Sequence, residues 1–323
     1  MITQTQSLLS GQRCTDVVTS VTQSQFELQV ETCPPVGFLA ASSTLTHEQH
    51  IVRQVTLSDG TVVPAILYPK GDTLYYQLAQ TTSGSAWHTP VALTFFSTTE
   101  AWDLCIRSDN IPIVAITASS GNIVNYMVGP NIEWSGNSNN SQWDFFASTD
   151  ANLNTSCVSL LETASGNVVV FAAGDNFRLY CCTDLGPQTT TLVMNLEDTA
   201  GEAKAISTAR MPDGGLPAVS VVVNSIGVYF AQATQADATA WGSRVDVFSG
   251  SATRPGYLNY VNQGNTRVWV TSAAVSNFGY QNPVLLVSTT EDGSAWGSAV
   301  PVRSTTTAVT VYSLLTQGTQ VAV

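Results

Sequence analysis

Residues 71–93 read GDTLYYQLAQTTSGSAWHTPVAL: an alternating apolar strand, a polar turn, and a tryptophan a few residues ahead of a second alternating strand. The same outline returns as GVYFAQATQADATAWGSRVDVF (227–248) and as VLLVSTTEDGSAWGSAVPV (284–302), and a weaker copy ends in NSNNSQWDFF (137–146). The tryptophans concerned, Trp87, Trp143, Trp241 and Trp296, are spaced by 56, 98 and 55 residues. The middle gap is two periods, and the skipped copy is FRLYCCTDLGPQTTTLVMNL (177–196), where threonines replace the tryptophan. A fixed period of this kind marks a supersecondary unit that buries its apolar face only by stacking on its neighbours.

A second marker fixes the count. Six hairpins join a half-buried strand to a strongly apolar one: VTLSDGTVVPAILY, LCIRSDNIPIVAI, SLLETASGNVVVFA, TARMPDGGLPAVSVVV, YVNQGNTRVWV and SLLTQGTQVAV. Their turn residues, Gly60, Asn110, Gly166, Gly214, Gly264 and Gly318, lie 50, 56, 48, 50 and 54 residues apart. Gly or Asn is the residue that accepts the positive φ such a turn requires. One four-stranded unit per period of about 50 residues is the sequence signature of a β-propeller blade. The sixth hairpin reaches Val323 with no residues left for two more strands, whereas two strand-like runs, CTDVVTSV (14–21) and QFELQVET (25–32), precede the first complete repeat. The expected fold is therefore all-β, a single six-bladed β-propeller over 1–323 whose last blade is closed by N-terminal strands. The expected blades run at about 49–94, 95–148, 149–196, 197–248, 249–302, and 303–323 completed by strands from within 1–48.

Composition narrows the partners. Only 11% of residues are charged and lysine occurs at Lys70 and Lys204 alone, so the polar surface is built from Ser, Thr, Asn and Gln. A formal charge of −12 repels phosphate backbones and anionic lipid, which speaks against nucleic acid as a partner. The start, MITQTQSLLSGQRCTD, has neither the basic nor the apolar region of a secretory signal. The most apolar stretch, 217–231, is interrupted and shorter than the roughly 18 residues a membrane span needs. No membrane insertion is expected, and the location expected is a virion or host cytoplasm, with an extracellular surface as the alternative. The six cysteines show no paired metal-binding spacing, and buried free thiols are the expectation.

The segment PAILYPKGDTLYYQLAQTTSGSAWHTPVAL (64–93) resembles the blade repeat of a broad family of β-propellers whose copies read approximately PAIxYY, DLxYxxA and GxxWGxPV, found in bacterial proteins and in large DNA viruses. The resemblance runs from about 49 to 323, with the second and third blades departing from the pattern. It implies the propeller fold and says little of activity, because propellers serve as enzymes, lectins and assembly platforms alike.

The candidate chemistry is sparse. TTEDGSAW (289–296) approaches the Asp-box turn of sialidases with Glu291 in the Asp position, but the nine arginines show no motif of a carboxylate-clamping triad. Glutamates and arginines do not recur at one repeat position, as an inter-blade lectin pocket would require. HEQH carries His47 and His50 in one loop without a third ligand nearby, so a metal site is left unknown and no cofactor is expected. Four of the six connections that lead into first strands carry acid, and Glu48, Glu100, Asp150 and Asp198, with Arg254 opposite, are the candidate binding residues at the channel mouth. Converging carboxylates without a partner should have raised pKa values. Trp87, Trp143, Trp241 and Trp296, with Gly60, Gly166, Gly214 and Gly318, are the candidate structural residues. The resulting expectation is a noncatalytic structural or binding module, a virus-encoded particle component in contact with other proteins of an assembly. A carbohydrate-binding propeller is the alternative, and a sialidase-like glycan hydrolase comes third.

Overall fold

The computed structural model describes residues 51–70, 73–93, 99–118, 123–130, 143–147, 157–173, 177–182, 190–199, 201, 203–211, 215–254, 258–263, 266–277 and 280–301. It also describes the strand pairing of 5–6, 13–14, 16–22, 25–30, 315–317 and 320–322. Each hairpin expected from the sequence within these residues is present. The first sheet is an antiparallel meander of Ile51–Thr56, Val62–Lys70, Thr73–Leu78 and Val91–Leu93. The second consists of Thr99–Ile106, Pro112–Ala118, Ile123–Val128 and Asp144–Ala147. Cys157–Glu162, Val168–Ala173, Arg178–Cys182 and Thr190–Asn195 form the third. Ala203–Arg210, Pro217–Val223, Gly227–Gln232 and Val245–Ser249 form the fourth. In the fifth, the long strand Thr266–Asn277 pairs with two short ones, Ala252–Arg254 and Asn259–Gln263, before Tyr280–Val287 and Val300–Pro301 follow. A further sheet orders Leu315–Gln317, Gln320–Ala322, Asp16–Thr22 and Gln25–Val30, with Ala322 opposite Val17.

The turns between first and second strands share one geometry in the first three sheets. Leu57 N donates to Thr61 O at 2.8 Å and Gly60 N to Leu57 O at 2.9 Å, with Gly60 at φ 81°. Arg107, Ile111 and Asn110 (φ 63°), and Thr163, Asn167 and Gly166 (φ 82°), repeat the pattern. This is a three-residue hairpin loop ending in a left-handed residue, a position that Gly or Asn fills with least strain. Gly214, Gly264 and Gly318 lie outside the described residues.

The second strands are buried on both faces because successive side chains face different neighbouring sheets. Val114 and Ile116 pack on the first sheet, while Ile113 and Ala115 pack on the third. Val169, Phe171 and Ala173 face the fourth sheet, and Val168, Val170 and Ala172 turn back to the second. The core is thus a series of wedges between successive sheets, and fully burying a side chain such as Phe171 contributes about 1.5–3 kcal/mol. All of this makes an all-β, propeller-like fold.

The repeated tryptophan turn is likewise one structure in three places. Trp87, Trp241 and Trp296 each stand four residues before the outermost strand, at Val91, Val245 and Val300. Each indole donates to the carbonyl three residues earlier, on Gly84, Ala238 and Gly293, at 2.7, 2.9 and 2.8 Å. The accepting residues are left-handed, with φ of 66°, 63° and 69°. These indoles are half-buried, because one edge caps the turn at the sheet's end while the other packs inward, Trp241 on Phe171 and Trp296 on Phe230. Trp143 differs: it stands directly before Asp144–Ala147, is buried, and packs edge-on against Tyr76 of the first sheet at 5.4 Å. The Asp-box reading also needs correction. Asp292, and not Glu291, accepts from Ser294 N and Oγ at 3.0 and 2.7 Å, because only the residue ahead of the left-handed Gly293 faces back across the turn. Asp237 does the same with Thr239 in the fourth sheet.

Candidate functional site

The first strands of the first five sheets lie side by side, each against the next. Between them is a cavity of about 350 Å³. The side chains that reach it recur at the spacing of the turns: Arg53, Asp103, Ser159, Thr208 and Asn259. Four of these five belong to a continuous polar belt. Arg53 Nη2 donates to Asp103 Oδ1 at 2.8 Å and Arg53 Nε to Leu104 O at 2.8 Å. The other oxygen of Asp103 accepts from Ser159 Oγ at 2.9 Å and from Leu160 N at 2.8 Å, and Ser159 Oγ lies 3.0 Å from Thr208 Oγ1. Leu104 N completes the shell on Oδ1 at 2.8 Å. Asp103 is 6% exposed, and four donors on its two oxygens replace the hydrogen bonds that burial takes from it.

Around the belt are groups with capacity to spare. Among its described partners, Arg53 engages three of its five N–H groups, on Leu104 O, Val52 O and Asp103. Gln54 is exposed and Asn259 half-buried in the same cavity lining, and neither side chain makes a hydrogen bond among the described residues. Glu162 takes both Ser108 N (2.9 and 3.0 Å) and Ser108 Oγ (2.8 Å), tying the third sheet to the second sheet's turn. The thiol of Cys105, which also lines the cavity, is pushed up to about 12 by burial and is therefore inert. Sequence reasoning missed this belt. The one visible signal was Asp103 itself, an acid between Trp102 and Leu104 on a strand otherwise meant for the interior.

The sequence-derived rim residues fare differently. Glu48 and Asp150, with His47 and His50, lie outside the described residues. Glu100 falls within the strand Thr99–Ile106 and Arg254 within Ala252–Arg254, so both belong to sheets where loops were expected. Asp198 sits in the short turn Glu197–Thr199, exposed, where both its oxygens accept from Arg244 at 2.5 and 2.7 Å. Arg244 directly precedes the outermost strand of the fourth sheet, stacks on the Tyr229 ring at 4.9 Å and reaches Asp246 at 3.2 Å. Asp198 is thus held at the sheets' outer edge, and its carboxyl is lowered below 3.8 by the Arg244 hydrogen bonds. That is opposite to the rise expected of carboxylates without a partner, for Arg244 is the partner. Arg178 and Glu197 form a second surface pair beside it.

Among the described residues, no cluster of three His, Cys, Asp or Glu side chains could hold a metal ion, and no helix is long and apolar enough to cross a membrane. Cys105, Cys157, Cys181 and Cys182 are buried thiols.

No family model matches the sequence, and no curated protein matches it. Solved structures do match in fold. An α-L-arabinofuranosidase from Fusarium graminearum, in complex with an iminosugar inhibitor, superposes with a TM-score of 0.53 at 14% identity, covering 82% of this chain and 83% of its own. An engineered glycoside hydrolase with endo-xylanase and exo-arabinofuranosidase activity gives a TM-score of 0.43 at 14% identity over 80% of this chain and 52% of its own. BBS1N bound to ARL6DN gives 0.45 at 11% identity over 70% and 62%. The arabinofuranosidase likeness establishes the shared fold. The same likeness, to a glycoside hydrolase, counts against the expectation of a noncatalytic module, and at 14% identity it shows the fold alone. The arabinofuranosidase likeness gives the virion expectation no support.

Proposed function

We propose that this protein is a carbohydrate-recognising six-bladed propeller that takes its glycan at the axial channel. The carrying observation is the cavity of about 350 Å³, where an arginine is held rigid by a buried carboxylate beside the amides of Gln54 and Asn259. Sugar hydroxyls donate and accept at once, and amides and guanidinium groups with unspent hydrogen-bonding capacity are their natural partners. The fold shared with the arabinofuranosidase supports the same reading. Hydrolysis between two carboxylates needs them about 5–9.5 Å apart across the scissile bond. The carboxylates among the described channel residues are Asp103 and Glu162, each already holding several donors, so product release is to be measured alongside binding.

The proposal includes closure of the ring by the sheet that joins Gln320–Ala322 to Asp16–Thr22, which would leave no exposed edge between first and last blades. It retains Glu48, Glu100 and Asp150 as an acidic rim to that channel. Deleting residues 1–32 should lower the melting temperature sharply, and an unchanged value would remove the closure.

The test is a glycan array with the purified full chain, followed by calorimetric titration and product analysis on each glycan retained, including arabinosides, xylan and galactan. A Gln54→Ala/Asn259→Ala variant should keep its melting temperature and lose at least about tenfold in affinity, as two or more lost hydrogen bonds imply. An array without a bound glycan, or a double variant binding as the parent does, would refute the proposal.

A further inference from the structure

We infer that the glycan accepted by the channel is an uncharged one, a unit of one or two neutral sugars, and that Glu162 is the residue that turns acidic sugars away. This rests on the carbohydrate reading above and adds the substrate class to it. The first argument is the charge balance inside the cavity. Arg53 and Asp103 cancel at 2.8 Å, and the remaining charged group among the described lining residues is Glu162, so the channel carries one net negative charge. The strand Leu315–Gln317, in the sheet that also holds Asp16–Thr22, contains no charged side chain and adds no cation.

The second argument comes from the rest of the chain. Binding a sugar carboxylate or sulfate calls for an arginine with no anion of its own, since guanidinium pairs bidentately with such groups. Four of the described arginines are spent on acids, Arg53 on Asp103, Arg107 on Asp109, Arg178 on Glu197, and Arg244 on Asp198 and Asp246, and Arg210 does not line the cavity. With a formal charge of −12, the long-range field also opposes an anion approaching the channel. Neutral hydroxyls meet neither obstacle. A volume of about 350 Å³ is near the lower end of the roughly 300–1,000 Å³ that ligand pockets span, which limits the buried unit to one or two rings.

The experiment uses matched glycans on the array and in titration: galactobiose against digalacturonate, lactose against sialyllactose, and xylobiose against a glucuronate-substituted xylobiose, at low and at about 0.3 M added salt, well above the roughly 0.1 M where screening sets in near 10 Å. The neutral member of the bound pair should be preferred at least about tenfold at low salt, with the margin narrowing as salt rises. Glu162→Gln keeps an oxygen for Ser108 and removes the charge, so it should shrink the margin about three- to tenfold. Asp237→Asn removes the same unit of charge from an exposed outer turn and should leave the margin where it was. An acidic glycan bound as well as its neutral partner, or a Glu162→Gln margin equal to the parent's, overturns this inference while the carbohydrate reading stands. Binding of no glycan overturns both.

Discussion

Replacing Asp103 by Asn tests whether the polar belt holds the inner strands together. The carboxylate accepts Arg53 Nη2 and Leu104 N on one oxygen and Ser159 Oγ and Leu160 N on the other, all at 2.8–2.9 Å. An amide offers one acceptor and one donor, so whichever way the introduced side chain turned, its NH₂ would face a backbone N–H, either that of Leu104 or that of Leu160. One buried N–H left unpaired costs about 1–3 kcal/mol. Breaking a buried ion pair costs about 3–5 kcal/mol, and Arg53, with 32% of its side chain exposed, places this pair at the low end. Because the two losses overlap, about 3–4 kcal/mol is expected in total. At about 2 °C per kcal/mol for a chain of this size, the melting temperature should fall by about 6–8 °C. Equilibrium urea unfolding followed by tryptophan fluorescence, with scanning calorimetry beside it, measures both numbers. Arg53→Met/Asp103→Leu removes donor and acceptor charge together and should be less destabilised than Asp103→Asn alone. A single variant within about 0.5 kcal/mol of the parent, a margin as wide as ordinary surface substitutions produce, or a double variant no more stable than Asp103→Asn, would refute the reasoning.

Gly293→Ala should destabilise by about 2–4 kcal/mol, since φ is +69° and a Cβ would stand 2.8 Å from Phe230 Cζ; denaturant midpoints measure this, and a neutral result would mean the turn relaxes freely. For Asp198 the folded pKa lies below 3.8, so the stability it contributes is present above the ordinary carboxylate range and disappears as pH falls through the folded value. Arg244→Ala should return the Asp198 titration to the ordinary range in carboxyl NMR, and the stability gap between parent and variant should close on acidification; a gap that widens instead would contradict the pairing. Cys105 and Cys181, both raised to about 12 by burial, should resist thiol reagents at a pH of about 8 in the native protein and react once it is unfolded, as peptide mapping after labelling would show.

The period, the strand alternation and the hairpin turns were legible in the sequence because each is a local property. A hairpin turn that needs a positive φ favours Gly or Asn wherever the chain goes next, which is why Gly60, Asn110 and Gly166 declared the same turn 50 and 56 residues apart. The two-sided burial of Val168–Ala173 and Pro217–Val223 follows from near-continuous apolar runs, the second broken only by Ser220. The pairing of an N-terminal strand with the C-terminal hairpin followed from counting strands. Side-chain partners obey no such local rule. Asp103 meets Arg53 from 50 residues before it and Ser159 from 56 residues after it, and Asp198 meets Arg244 46 residues on. Each of those pairs spans two sheets, so it exists only once the sheets have docked with a given twist and offset. The sequence placed Asp198 in a loop leading into a first strand; docking pairs it with Arg244 and brings Asp103 to the cavity between the first strands. The alternation of a strand is decided by its own backbone, but which charge it meets is decided by the neighbouring sheet.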